Sequence, residues 1–250
     1  MGCNGRCNGR AGRCGLAGLT VVVAADRAPR RYARGLSRPI VLGIGLSKTG
    51  TTSLNSALEV LGWDARHNPT DLLRLDGGRL SIDVEAARRR EALTDLPVAR
   101  FFRELDEAIP GARFVVTTRS LDSWLPSAKN HFYAPSPHAA ECELIRQVYG
   151  AEAFDAERFA EGYRRHYAAV ERHFADRPRD ALVLDVRDSD KWQRLCAFLG
   201  EPVPDVPYPA SNPASSAPDW LKRLVRANPT ILRAARRARD GYRSRTGGRR

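Results

Sequence analysis

Residues Pro39–Leu61 read PIVLGIGLSKTGTTSLNSALEVL, and this stretch decides the fold. Pro39 to Leu46 is a continuous apolar run of strand length, bounded by a proline and a glycine-containing turn. That pattern is expected of a strand buried on both faces of a parallel sheet. From Thr51 to Leu61 the apolar residues Leu54, Ala57, Leu58 and Leu61 recur at i, i+3, i+4 and i+7. This is one face of an amphipathic helix, and Gly62 stands where a C′ glycine belongs. Between strand and helix lies Gly45-Leu46-Ser47-Lys48-Thr49-Gly50-Thr51-Thr52. A loop of this kind aims backbone N–H groups and the positive end of the helix dipole at one point, where an anion is favoured. Lys48 adds a mobile positive charge, and Thr51 and Thr52 add hydroxyl donors.

The loop differs from the nucleoside-triphosphatase pattern G-x-x-x-x-G-K-[ST]. Gly45 and Gly50 have the required separation, but Thr51 occupies the lysine position and Lys48 lies two residues before the second glycine. A kinase of a nucleoside or other small molecule remains the alternative reading of this strand–loop–helix unit. It would lack the usual lysine on the β- and γ-phosphates.

Outward from this unit, strand and helix patterns alternate. Trp63–His67 is a short strand, residues 84–91 a helix and Ala92–Asp95 a strand end. Residues 98–109 form a helix stopped by Pro110 and Gly111. Ala112–Thr118 (ARFVVTT) is a second buried strand, residues 120–133, 137–149 and 152–175 are helices, Ala181–Asp185 a last strand and 190–199 a last helix. The alternation predicts an α/β fold of three layers, with a central parallel sheet flanked by helices. One domain is expected over 39–220.

The loop resembles that of the sulfotransferases, in which the first strand ends in K-[ST]-G-T-T. The resemblance implies a P-loop-type fold and 3′-phosphoadenosine 5′-phosphosulfate (PAPS) as co-substrate. It implies that Lys48, Thr49, Gly50, Thr51 and Thr52 hold the 5′-phosphate and the sulfuryl group. It also places Arg119, at the end of the Ala112–Thr118 strand, and Ser127, eight residues later, on the 3′-phosphate. Arg suits that role because its planar fork matches phosphate with two hydrogen bonds. Pro126 precedes Ser127 and is expected in the first turn of its helix or at a kink. The resemblance runs from about Ile40 to Asn212 and points to a bacterial-type branch. Ser53 stands where cytosolic members commonly carry a Trp that stacks on adenine.

Sulfuryl transfer needs an in-line attack, charge stabilisation and a base for the acceptor's proton. No metal is required. Two residues compete as base. Asp95, in Thr94-Asp95-Leu96-Pro97, stands where cytosolic sulfotransferases carry a catalytic His in a T-H-L-P-like segment. Its other reading is an N-cap of the following helix. His67 ends the second strand, where carbohydrate-modifying members often place a Glu, and its other reading is an ordinary loop histidine. His131 is placed beyond Ser127 on the phosphate helix, and His138, His166 and His173 on helix surfaces. A catalytically idle binding module is the remaining reading.

The composition bounds the partners. The 250 residues carry 41 Lys+Arg against 29 Asp+Glu, a net charge of +12. Residues 1–40 hold eight Arg and one Asp, and residues 221–250 hold eleven basic residues and one Asp, or +7 and +10. The remaining 41–220 segment is therefore −5, so nucleic acid is not an expected partner of the body. Residues 1–38, with the tandem CNGR repeat and Cys3, Cys7 and Cys14, are expected to be a disordered or non-native extension. The spacing of those cysteines fits no zinc pattern. Residues 221–250 read as a basic amphipathic stretch that could contact a membrane surface. A cytoplasmic location is expected, with a small-molecule, glycan or lipid hydroxyl or amine as acceptor.

Overall fold

A computed structural model describes residues 38–210. The N-terminal extension and the basic C-terminal stretch lie outside the described residues. The chain runs β1 (Val41–Gly43), α1 (Thr51–Val60), β2 (Ala65–His67), a 3-10 turn (Thr70–Leu72), β3 (Leu73–Asp76), β4 (Arg79–Ile82), α2 (Val84–Ala87) and β5 (Ala92–Thr94). It continues through α3 (Leu96–Arg100), α4 (Phe102–Ala108), β6 (Arg113–Thr118), α5 (Leu121–His131), α6 (Ala139–Tyr149), α7 (Ala156–Phe174), β7 (Ala181–Asp185) and α8 (Lys191–Leu199).

Five strands form a parallel sheet in the order β2-β5-β1-β6-β7. Alternate residues of each strand enter opposite core layers, as the two-residue period of a strand requires. Leu42, Leu93, Phe114, Val116 and Ala181 pack with the layer of α3 to α7. Val41, Ala92, Val115, Leu182 and Leu184 pack with Leu54 and Leu58 of α1 and with Trp192 and Leu195 of α8. The expected three-layer α/β architecture with a central parallel sheet is therefore present.

Three local readings need correction. The helix expected at 98–109 begins at Leu96 and is interrupted at Phe101, giving α3 and α4. Of the two places expected for Pro126, the first turn is excluded, because it sits inside α5. The segment between β2 and α2 carries an antiparallel hairpin, β3–β4, that periodicity did not indicate.

The connection from β1 goes to β2 on one side of the sheet, and the chain later places β6 on the other. The carboxyl ends of β1, β5 and β6 thus frame the crevice at which α/β sheets bind ligands. Among the described residues, the non-glycine residues with positive φ are Lys48 (72°), Asn68 (49°) and Asp95 (87°). All three lie just past the carboxyl end of a strand of this sheet. Positive φ costs such residues roughly 1–3 kcal/mol each when the surroundings impose it, and here the strain gathers at one edge of the molecule.

Candidate active site

The β1–α1 loop is fixed from several directions. A Cβ at Gly45 would stand 2.0 Å from the Thr117 Oγ1 and 2.6 Å from the Thr117 carbonyl. Only glycine permits this close approach of loop to β6. The fully buried Trp124 of α5 donates its Nε1–H to the Ser47 carbonyl at 2.9 Å. His166 of α7 binds the Ile44 carbonyl through Nε2 at 2.8 Å. Burial above all holds its pKa down to about 4, so the neutral ring is the donor. This corrects the helix-surface placement of His166. The Tyr167 hydroxyl donates to the Thr117 carbonyl at 2.8 Å.

The five loop residues do not play equal parts. The Thr49 side chain is fully buried, donates to the Leu46 carbonyl at 2.6 Å and meets the Thr117 hydroxyl at 2.8 Å. Its hydroxyl faces inward and braces the loop. Gly50 is the N-cap of α1, which has no side-chain cap and no acidic residue in its first turn. The first-turn N–H groups of Thr51 and Thr52 are thus left to an external anion. Lys48 is half-buried and has no ion-pair partner among the described residues.

The two candidates for the base stand side by side. Asp95 Oδ2 lies 3.1 Å from His67 Nε2. Ser47 donates its hydroxyl to Asp95 Oδ1 at 2.6 Å, and the Thr52 hydroxyl meets His67 Nε2 at 3.2 Å. Asp95 does occupy the N-cap position of α3, but its side chain makes no capping bond. The capping role expected of it as an alternative is not the one its carboxylate performs. Its register brings this about, because His67 of β2 and Gly43 of β1 both pair with Thr94 of β5. His67 has a side chain 31% exposed, against 9% for Asp95, so the pair has an open and a closed side. His131 belongs to the same surroundings. Burial, and next the Lys48 ammonium, lower its pKa, while the Asp95 carboxylate acts the other way.

Arg119 follows β6 at the same edge of the sheet. Its Nε donates to the Ser123 hydroxyl at 3.0 Å, and the Tyr163 hydroxyl donates to its carbonyl. Desolvation pushes the Tyr163 hydroxyl up to about 12, so it remains a donor. No ion pair involves Arg119 among the described residues. Ser127, half-buried on α5, lies one further turn along the helix than Ser123. No hydrogen bond joins it to Arg119 among the described residues. Sequence reasoning missed Ser47, Thr117, Trp124 and Tyr167, which position the loop. Ser47 was visible inside the loop itself, but nothing in the spacing of the other three marks them.

A family model for the sulfotransferase domain matches residues 40–217. The chain belongs to the sulfotransferase family. It is 26% identical over 209 residues to the Ava biosynthesis cluster protein M of Aspergillus versicolor, spanning 68% of this chain and 79% of that protein. A sulfotransferase from Alicyclobacillus acidocaldarius is similar at 19% identity and a TM-score of 0.45, over 78% of this chain and 93% of that one. No described helix of this sulfotransferase is long and apolar enough to cross a membrane.

Proposed function

We propose that this sulfotransferase moves a sulfuryl group from PAPS to a hydroxyl or amine of a small-molecule, glycan or lipid acceptor. The observation that carries the reading is the meeting of an uncapped, lysine-bearing helix start with the Asp95–His67 pair at one end of the sheet. The donor set suits a doubly phosphorylated nucleotide. It consists of two cationic side chains, Lys48 and Arg119, unpaired with carboxylates among the described residues, and the open first turn of α1. PAPS supplies the activated sulfuryl group.

The residues of the chain do the rest. Lys48 and the N–H groups of Thr51 and Thr52 hold the 5′-phosphate and the sulfuryl oxygens, where charge grows in the transition state. Thr49 keeps the loop in shape, and the Thr52 hydroxyl bridges the loop to His67. Arg119, with Ser127 beyond it on α5, grips the 3′-phosphate through charge-assisted hydrogen bonds. The Asp95–His67 pair takes the acceptor's proton as the bond to sulfur forms.

Thermal-shift measurements with adenosine 3′,5′-bisphosphate and with ATP test the reading. The bisphosphate is expected to stabilise the protein and ATP to do so far less. Stabilisation by ATP alone would overturn it in favour of a kinase. Transfer from labelled PAPS to a panel of phenols, sugars, lipids and amines then identifies the acceptor class.

A further inference from the structure

The β3–β4 hairpin leaves one strand edge open. Its register pairs Asp76 with Arg79, Leu75 with Leu80, Arg74 with Ser81 and Leu73 with Ile82. Antiparallel pairs alternate between those that exchange backbone hydrogen bonds and those that do not. The bond from the Asp83 N–H to the Leu72 carbonyl at 2.8 Å fixes the phase. By the same alternation Ser81 and Arg79 bond to β3, while Leu80 and Ile82 turn their N–H and C=O groups outward. These outward groups have no hydrogen-bond partner among the described residues. The Leu80 and Ile82 side chains are buried in the core, so the edge is held rigidly.

The open edge is one wall of a cavity of about 380 Å³, lined by all of Arg79, Leu80, Ser81 and Ile82. A strand that showed the cavity only a face would contribute alternate residues, so the edge itself looks in. The facing wall includes Arg100 and Glu104, from either side of the α3–α4 junction, and Gln147 of α6. Gln147 donates through Nε2 to Glu143 Oε1 at 2.7 Å. A carboxylate only accepts, so the Gln147 oxygen is turned toward Arg100. That oxygen takes the Arg100 Nε–H at 2.9 Å, and the guanidinium lies over the Phe101 ring at 4.7 Å. Nη1 reaches Glu104 only at 3.5 Å, and Nη2 has no hydrogen-bond partner among the described residues. Arg100 is thus aimed from behind, with outer N–H groups left to spend. Arg79 is exposed and makes no ion pair among the described residues.

We propose that β4 and the α3–α4 junction form a docking groove for an acidic, extended segment of another polypeptide, which adds to β4 as a further strand and sets a carboxylate on Arg100. The edge repeats its donor and acceptor about 7 Å apart, two strand residues along. A simple anion would use the donors and leave the carbonyls unmet, whereas an extended backbone meets both. Backbone pairing supplies affinity, and the side chains beside the edge supply selectivity. Arg79 and Arg100 outnumber Glu104 there and select acidic side chains through charge-assisted hydrogen bonds. The chain's own ends are basic, +7 over residues 1–40 and +10 over residues 221–250, so these arginines repel them. The groove is independent of the sulfuryl-transfer reading.

The test is titration of the full chain with an acetylated, amidated heptapeptide of alternating valine and glutamate, read by fluorescence anisotropy and by ¹⁵N–¹H correlation of the Leu80 and Ile82 amides. Both amides should move downfield and gain protection from hydrogen exchange. Lysines in place of the peptide's glutamates should abolish binding. N-methylation of one alternating set of peptide amides should abolish it too, while methylation of the other set should leave it. Arg100→Gln should weaken binding at least about tenfold, the low end for a charge-assisted contact. Arg79→Ala, a change at an exposed position, should weaken it several-fold. Absence of binding at millimolar peptide would overturn the proposal, as would equal binding of the lysine peptide or of the two methylated peptides. Displacement of the peptide by an equal concentration of glutarate would also overturn it and make the cavity a plain anion site.

Discussion

The two loops proposed to bind the phosphates end neighbouring strands of one sheet, yet they are built differently. The β1–α1 loop is clamped by buried groups: Trp124 on the Ser47 carbonyl, His166 on the Ile44 carbonyl, Thr49 and Thr117 on each other. It also carries a lysine with positive φ, and the aspartate facing it has positive φ too. The β6–α5 junction is secured mainly by exposed or half-exposed contacts among Arg119, Ser120 and Ser123, plus one bond from Tyr163. The difference matches the two tasks proposed for them. Atoms that react must be held to a fraction of an ångström, because misplacement by about 1 Å can cost ~100-fold in rate. A phosphate that is only gripped tolerates a looser support, since the guanidinium fork brings its own geometry.

The contrast breaks most readily at Lys48. Lys48→Ala should lower kcat by ~10²–10³, the usual loss when one preorganised charge donor is removed. Affinity for adenosine 3′,5′-bisphosphate should fall much less, because the bisphosphate lacks the sulfuryl group. Steady-state rates and a binding isotherm on the same variant check this. A parallel fall in both would make the loop a grip rather than a reaction centre.

This asymmetry also explains what could be read from the sequence. Lys48, Asp95 and Arg119 were legible because each follows a strand whose apolar run is visible, and His67 because a short strand pattern ends at it, so topology alone brings them to one edge. That Asp95 and His67 touch was not legible, because it depends on β5 inserting between β1 and β2, and strand order leaves no trace in periodicity. The clamps Trp124, His166 and Tyr167 look like ordinary helix residues until α5 and α7 are laid across the strand ends. The β3–β4 hairpin had a local signal: Gly77-Gly78, both at positive φ (55° and 80°), join segments that alternate in burial, as two-residue hairpin turns do. The short run of alternation on each side hid it.

Acid should loosen the clamped loop through His166. Its pKa is held near 4 in the fold by burial, below the ordinary histidine value of about 6.5. Above that value the ring is neutral folded or unfolded and contributes no pH dependence. As pH falls from about 6.5 toward 4, the unfolded chain takes a proton that the folded chain refuses. Stability should decline by up to about 3 kcal/mol over that window. His166→Gln keeps an N–H donor for the Ile44 carbonyl and removes the titration. Urea midpoints at pH 7.5 and 4.5 should therefore fall further in wild type than in the variant. Equal falls would assign the acid sensitivity to groups elsewhere, such as Asp106 and Asp185, whose carboxyls are held below their usual range.

The smallest expected effect lies in the looser region and probes it most directly. Arg119→Ala should weaken adenosine 3′,5′-bisphosphate binding by at least ~1.5 kcal/mol, about tenfold, the low end for a charge-assisted contact. At saturating PAPS, kcat should change little, because Arg119 follows β6, which β1 separates from the strands that end at Asp95 and His67, and it touches neither residue. Arg119→Lys sharpens the point. It keeps the charge and loses both the fork and the Nε bond to Ser123, so a partial recovery of affinity would separate charge from geometry. If geometry dominates, Lys should behave like Ala, and the few bonds around Ser120 and Ser123 would then aim the guanidinium rather than merely steady the loop. A large loss of kcat with affinity unchanged would place Arg119 among the reacting groups and remove the distinction between the two loops.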